Sequence, residues 1–178
     1  LRELADDFET LCRDTASVSF HVVPGNHDPD ISDRMIVGEN ITVHDTPSSV
    51  TLGGVTVLFV PYSDINSMGE YLVEMESRER WVLVGHGDYI GGTRVINPYE
   101  TGTYMPLYRR DIERYKPWRI FLGHIHRPTA HGSLYYSGSP CGLDINETGS
   151  RRYLVFDTET GKVSSREVDS DTIFFKEN

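Results

Sequence analysis

Three apolar runs in this sequence end in the same way, in a glycine followed at once by a side chain able to bind a metal ion. Val18-Ser19-Phe20-His21-Val22-Val23 leads into Pro24-Gly25-Asn26-His27-Asp28. Trp81-Val82-Leu83-Val84 leads into Gly85-His86-Gly87-Asp88, and Arg119-Ile120-Phe121-Leu122 into Gly123-His124-Ile125-His126. Imidazole nitrogens with an amide oxygen suit Mn²⁺, Fe or Zn²⁺ better than Ca²⁺. A lone histidine after a strand is ordinarily a satisfied polar residue. Repetition of the pattern points instead to a metal cluster, with Asn26, His86, His124 and His126 as the candidate ligands. His44 and His131 lie in loop-like sequence outside the pattern and His21 lies inside a strand, so all three read as structural.

For the candidates to meet, the three runs must be parallel strands of one sheet with their carboxyl ends together. That is where open α/β sheets bind ligands, and the glycines permit the tight turns and close approaches required. The remaining chain supplies matching elements. Leu1, Leu4, Phe8 and Leu11 recur at helical spacing over residues 1–13. Short strands are expected around Ile41–Val43 and Val50–Leu52, and Gly53-Gly54 turns the chain into Val55–Val60. Ser67-Met68-Gly69-Glu70 has capping-box spacing ahead of a helix carrying Met68, Tyr71, Leu72 and Met75. The Gly-, Thr- and Asn-rich stretch from Asp88 to Tyr104 reads as a long loop over the site, and a helix from Pro106 to Tyr115 returns the chain to Arg119. Beyond His126 the pattern becomes strands alone: Ser133–Tyr136, Arg151–Asp157 and Lys162–Val168, with Ile173-Phe174-Phe175 as an added edge. An α/β fold follows, with two sheets face to face and helices outside.

The 178 residues suit a single domain spanning 1–178. A hydrophobic content of 38% with 25% charged residues is that of a soluble globular protein, and no apolar run approaches the ~20 residues of a membrane helix. Cys12 and Cys141 give no disulfide framework, so a cytoplasmic setting is expected. The formal charge of −10 argues against broad non-specific binding to nucleic acid. Arg109-Arg110, the group Arg114, Lys116 and Arg119, and Arg127 read chiefly as solvated charges, with contact to phosphates near the site as the other option.

The motifs Gly25-Asn26-His27-Asp28, Gly85-His86 and Gly123-His124-Ile125-His126 resemble those of the calcineurin-like metallophosphoesterase superfamily. His126-Arg127-Pro128, Tyr136-Ser137-Gly138-Ser139-Pro140, Glu147 and the closing hairpin look most like its DNA double-strand-break repair exonuclease branch, the nuclease subunit. The resemblance implies a four-layer αββα sandwich with two divalent metals, Mn²⁺ above all, one bound by Asn26, His86 and His124 and the other by His126. A metal-activated water would attack phosphorus in a phosphodiester, DNA in this branch, with His27 facing the phosphate as a catalytic residue and Asp28 shaping the loop. The branch also implies an ATPase partner subunit and leaves room for a homodimer. The family's D-x-H and G-D-x-x-D motifs are not found in this sequence; the resemblance puts them upstream of Leu1, so this chain corresponds to the C-terminal portion of the catalytic domain. By the same resemblance the chain is expected to carry no capping domain after the sandwich. Two alternatives stand beside the nuclease: a catalytically degenerate fold serving as a protein-binding module, and a small-molecule phosphodiesterase.

Overall fold

The computed structural model describes residues 2–76, 78–91, 102–142, 145–170 and 173–175, with side chains from residue 5 onward. In chain order the elements are helix α1 (Arg2–Asp14), strands β1 (Phe20–Val22), β2 (Ile41–Val43), β3 (Ser48–Leu52) and β4 (Val55–Val60), and a 3-10 helix (Met68–Met75). There follow β5 (Trp81–His86), β6 (Tyr89–Ile90), β7 (Leu107–Tyr108), helix α2 (Arg109–Tyr115), β8 (Arg119–Gly123), β9 (Thr129–His131), β10 (Leu134–Tyr136), β11 (Arg152–Phe156) and β12 (Val163–Glu167). The protein is a sheet-rich α/β structure.

The longest β-branched and aromatic runs occupy the middle of a six-stranded sheet of order β3-β4-β5-β8-β10-β9. Its inner strands β4, β5, β8 and β10 are parallel, and β3 and β9 are antiparallel edges. Parallel strands covered on both faces are apolar on both, which is why β4 and β5 read as continuous hydrophobic runs. One face carries Leu58, Val60, Leu83, Ile120 and Leu134 beneath the 3-10 helix and α2. The indole N–H of buried Trp81 donates to the Tyr115 carbonyl at 3.1 Å and ties the end of α2 to β5. Each fully buried side chain here contributes about 1.5–3 kcal/mol relative to exposure. The other face presents Val55, Val57, Phe59 and Val82, against which Val23, Trp118 and Phe156 pack. It also keeps an open apolar cleft of about 580 Å³ lined by Val57, Val84, Phe121 and Phe156.

The structure corrects several expectations. The three motif strands do not share one sheet: β5 and β8 are parallel neighbours, but β1 pairs with β2 in a separate two-stranded sheet. In α1 it is Phe8, edge-on to Phe20 at 6.1 Å, and the buried Cys12 that face inward, while Leu11 is 60% exposed. The inward stripe is thus rotated from the expected one; Leu1 and the Leu4 side chain lie outside the described residues. The helix after Ser67 is 3-10, in keeping with the poor helical propensity of Gly69 and Val73, although the Glu70 carboxylate does accept the Ser67 N–H at 2.8 Å. Leu107 and Tyr108 pair with Tyr89 and Ile90 as a short parallel ladder, so α2 begins later than expected. Residues 92–101 of the long loop lie outside the described residues. Strand β9 was not foreseen, and Phe174 contributes one bridge to Thr148 rather than an edge strand. Both cysteines are free. Among the described residues no helix is long and apolar enough to cross a membrane.

His21 and His44 do have partners after all: each other. His44 is 3% exposed and stacks on Phe59 at 3.9 Å. Its Nε2 lies 2.9 Å from His21 Nδ1, and its Nδ1 lies 2.7 Å from the Ser48 hydroxyl. This group joins the β1–β2 sheet to the six-stranded one. Burial, then repulsion from His21, pushes His44 down to about 4, with Asp45 opposing; burial lowers His21 as well. A histidine with a lowered folded-state pKa stabilises the fold fully above its ordinary value of 6.5, and that share is lost as pH falls toward 4. Urea denaturation between pH 7 and 4 therefore shows a falling midpoint, and His44→Gln flattens that part of the profile. A profile equally steep in the variant refutes the assignment.

Candidate metal centre

β5 and β8 are hydrogen-bonded through Leu83↔Ile120 and His86↔Gly123, so their carboxyl ends finish level. The chain leaving β1 reaches the same place from the other sheet, where the Tyr62 N–H donates to the Pro24 carbonyl at 3.1 Å and ties the β1 exit to the end of β4. Asn26 Oδ1 consequently lies 2.6 Å from His86 Nε2 and 3.4 Å from His124 Nδ1. The imidazoles of His86 and His124 meet nearly edge to face, 5.5 Å between centroids.

Glycine lies on both sides of His86, where any larger residue would force a shift. A Cβ built on Gly25 would stand 2.8 Å from His86 Cε1, and one on Gly123 would stand 2.7 Å from His86 Nδ1. The ring is held between two backbones that only glycine lets approach so closely. His124 adopts φ 94°, a conformation that side chains rarely take, directly after Gly123. Such a backbone costs on the order of 1–3 kcal/mol and persists only where its surroundings enforce it.

A buried carboxylate stands behind His124. Its Nε2 lies 3.7 Å from Asp88 Oδ1, both side chains being 2% exposed. Asp88 is held in turn by the Tyr104 N–H, which donates to Oδ2 at 2.9 Å, and its own backbone bonds Tyr104 and Leu107. Tyr136, whose phenol burial pushes up, donates to the Gly87 carbonyl at 2.9 Å and accepts the Tyr89 N–H at 2.8 Å, fixing the turn on which Asp88 sits. The Tyr104 ring lies 5.0 Å from that of His124, and Tyr62 stands edge-on to His86 at 6.3 Å.

Of the sequence-predicted residues, Asn26, His86 and His124 come together as a trio. His126 belongs to a neighbouring group, with Nδ1 2.6 Å from Glu147 Oε1 and its side chain 37% exposed. His27 is exposed on the loop beside Asn26, as is Asp28. Among the described residues no three His, Cys, Asp or Glu side chains converge, since the third donor of the trio is an amide oxygen. His131 is on β9 beside the Tyr89 ring, away from the trio. Arg109 and Arg114 form exposed pairs with Glu113 and Glu76, and Arg119 donates to the Gly161 carbonyl, which makes these cations structural or solvated. The residues that sequence reasoning passed over are Asp88, Ser139 and Arg151 as supports, and Glu147 as a partner of His126. Asp88 left a signal as an acid two residues past a candidate ligand, and Ser139 and Glu147 stood in the stretches that carry the family resemblance, with no role given to them.

The donor chemistry fits a divalent metal. Two imidazoles and an amide oxygen, with Asn26 Oδ1 2.6 Å from His86 Nε2 and 3.4 Å from His124 Nδ1, are donor types that such a metal takes.

No protein-family model matches the chain. Over 157 residues it is 26% identical to exonuclease subunit 1 of Enterobacteria phage T4, a match that covers 83% of this chain and 44% of that protein. The chain is a distant relative of a nuclease subunit. It spans less than half the length of that subunit.

The clamp on His86 gives a direct test. Gly123→Ala moves the ring or the β8 end, costing about 1–3 kcal/mol in urea denaturation and shifting the His86 ring resonances. A variant with wild-type stability and unshifted His86 resonances rules out the close packing.

Proposed function

We propose that this chain carries the metal site of a metallophosphoesterase-type nuclease, hydrolysing DNA phosphodiesters with divalent metal, Mn²⁺ foremost. The observation that carries this reading is the convergence of Asn26 Oδ1, His86 Nε2 and His124 Nδ1 at the ends of strands from two sheets. The distant similarity to a phage exonuclease subunit supports DNA as the substrate.

On this reading Asn26, His86 and His124 hold one metal and His126 contributes to a second. Such metals, held there, would supply Lewis acidity to a water and to the phosphoryl oxygens. The chain's own residues do the rest. Gly25 and Gly123 keep His86 in place, the buried Asp88 stands 3.7 Å behind His124, and Pro24-Gly25 delivers Asn26. Exposed His27, adjacent in sequence to a ligand, stands where a phosphodiester can reach it and donates a proton to the leaving oxygen or hydrogen-bonds the phosphate. Positioned proton transfer of this kind contributes about 10²–10⁴-fold. An ATPase partner, a repair role and a homodimer belong to the same reading.

The natural polypeptide containing this chain is expected to cleave linear DNA with Mn²⁺ and to stop on chelation. His124→Ala loses Mn²⁺ binding and cleavage together, whereas His27→Ala binds Mn²⁺ normally and loses about 10²–10⁴ in kcat. Undiminished cleavage by His124→Ala, measured on end-labelled DNA, would falsify the proposal.

A further inference from the structure

His126 is the candidate ligand that stands apart from the trio, and what surrounds it is a second buried polar group of its own. Nδ1 lies 2.6 Å from Glu147 Oε1, and the Glu147 side chain is only 7% exposed. The other carboxylate oxygen, Oε2, accepts the Ser139 hydroxyl at 3.0 Å and lies 3.5 Å from the Arg151 guanidinium. Arg151, itself 6% exposed, donates to the His126 carbonyl at 2.7 Å, to the Ser139 carbonyl at 3.1 Å and also to the Ser139 hydroxyl. The Ser139 N–H donates to the His126 carbonyl at 3.3 Å. Backbone and ring of His126 are therefore both grasped by the same set of side chains.

The set is built from distant pieces of chain. Ser139 follows β10, and Arg151 precedes β11. The Glu147 turn is pinned by Thr148, which bridges to Phe174, and by the Gly149 N–H, which donates to the Phe174 carbonyl at 2.9 Å. Burying an arginine and a glutamate costs desolvation that their attraction does not by itself repay. Such a group is better placed to specify an orientation than to stabilise the fold.

We infer that Glu147, locked by Ser139 and Arg151, is a positioning residue that fixes the tautomer of His126 and presents its Nε2 to a divalent cation. The inference rests on the metal reading above for the identity of what Nε2 meets. A carboxylate oxygen can only accept, so Nδ1 carries the proton of the neutral ring and Nε2 keeps the lone pair. A carboxylate behind a ligating histidine also raises the basicity of the donor nitrogen, and removing it costs about 10–100-fold in metal affinity.

The test combines a tautomer measurement with a metal titration. Long-range ¹H–¹⁵N spectra of the apo protein are expected to show His126 with Nδ1 protonated and Nε2 bare. Glu147→Ala changes the ring to the Nε2-protonated form and weakens the tightest His126-dependent Mn²⁺ binding, followed by electron paramagnetic resonance, by about 10–100-fold. Glu147→Gln keeps an acceptor oxygen, so it holds the tautomer and falls between the two in affinity. If Glu147→Ala does not fold, the wild-type and Glu147→Gln spectra decide the matter. Nε2-protonated His126 in the wild type, or an unchanged tautomer in Glu147→Ala, overturns the assignment. Should the tautomer change as expected while Mn²⁺ binds none of the proteins, positioning by Glu147 stands and the metal reading fails.

Discussion

The site depends on one steric constraint, the fit of the His86 imidazole between the backbones of Gly25 and Gly123. A Cβ on either glycine would come within 2.8 Å of the ring, closer than real contacts allow. Because Gly25 follows β1 and Gly123 ends β8, the ring acts as a spacer between the two sheets. Its position sets how closely the β1 exit can approach the six-stranded sheet, and thereby where the Asn26 oxygen lies. The strained backbone of His124 belongs to the same constraint, since its φ of 94° swings the ring toward Asn26 immediately after the close-packed glycine. A cost of order 1–3 kcal/mol is bearable there because β8 is hydrogen-bonded on both sides, by β5 and β10.

The two faces of the sheet explain how that precision is kept. On the helical face Leu83, Ile120, Leu107 and Leu134 are fully buried and locked by Trp81 against the end of α2. The opposite face is held more lightly, by small sheets and by the stacked group of His21, His44 and Phe59. The ends of β5 and β8 are thus anchored by the dense side, while the β1 exit is anchored by Val23 packed on the other face and by the Tyr62 N–H bond to the Pro24 carbonyl. The more exposed half of the site, His27 and Asp28, lies on that lighter side.

Local signals in the sequence were enough to reveal the longer strands and to name Asn26, His86 and His124. Val55–Val60 has the observed bounds, and Asn26, His86 and His124 could be named because each follows a glycine at the end of an apolar run. Long-range facts were not legible. Nothing in the residues says that β1 leaves the main sheet, because a strand looks the same whichever partner it takes. Leu11 fits the helical period yet points to solvent, since Cys12 takes the inward place. Glu147, Ser139 and Arg151 sit in irregular stretches without periodicity, and only folding brings them to His126. His21 and His44 were dismissed for want of a pattern, though they are 2.9 Å apart across β1 and β2.

The distribution of charge around the candidate ligands bears on what the centre can do. Asn26, His86, His124 and His126 are all neutral donors, and an uncharged set holds a dication less firmly than carboxylates would. The negative charge stands one layer back, in Asp88 behind His124 and Glu147 behind His126. On the proposed reading Glu147, bonded to the His126 ring at 2.6 Å, would strengthen that donor nitrogen, and both carboxylates remain buried. Arg151, touching Glu147 and the His126 carbonyl together, partly offsets one of these charges. On the proposed reading, keeping both carboxylates behind the rings in a chain of formal charge −10 would favour metal binding without adding to the repulsion of a polyanion.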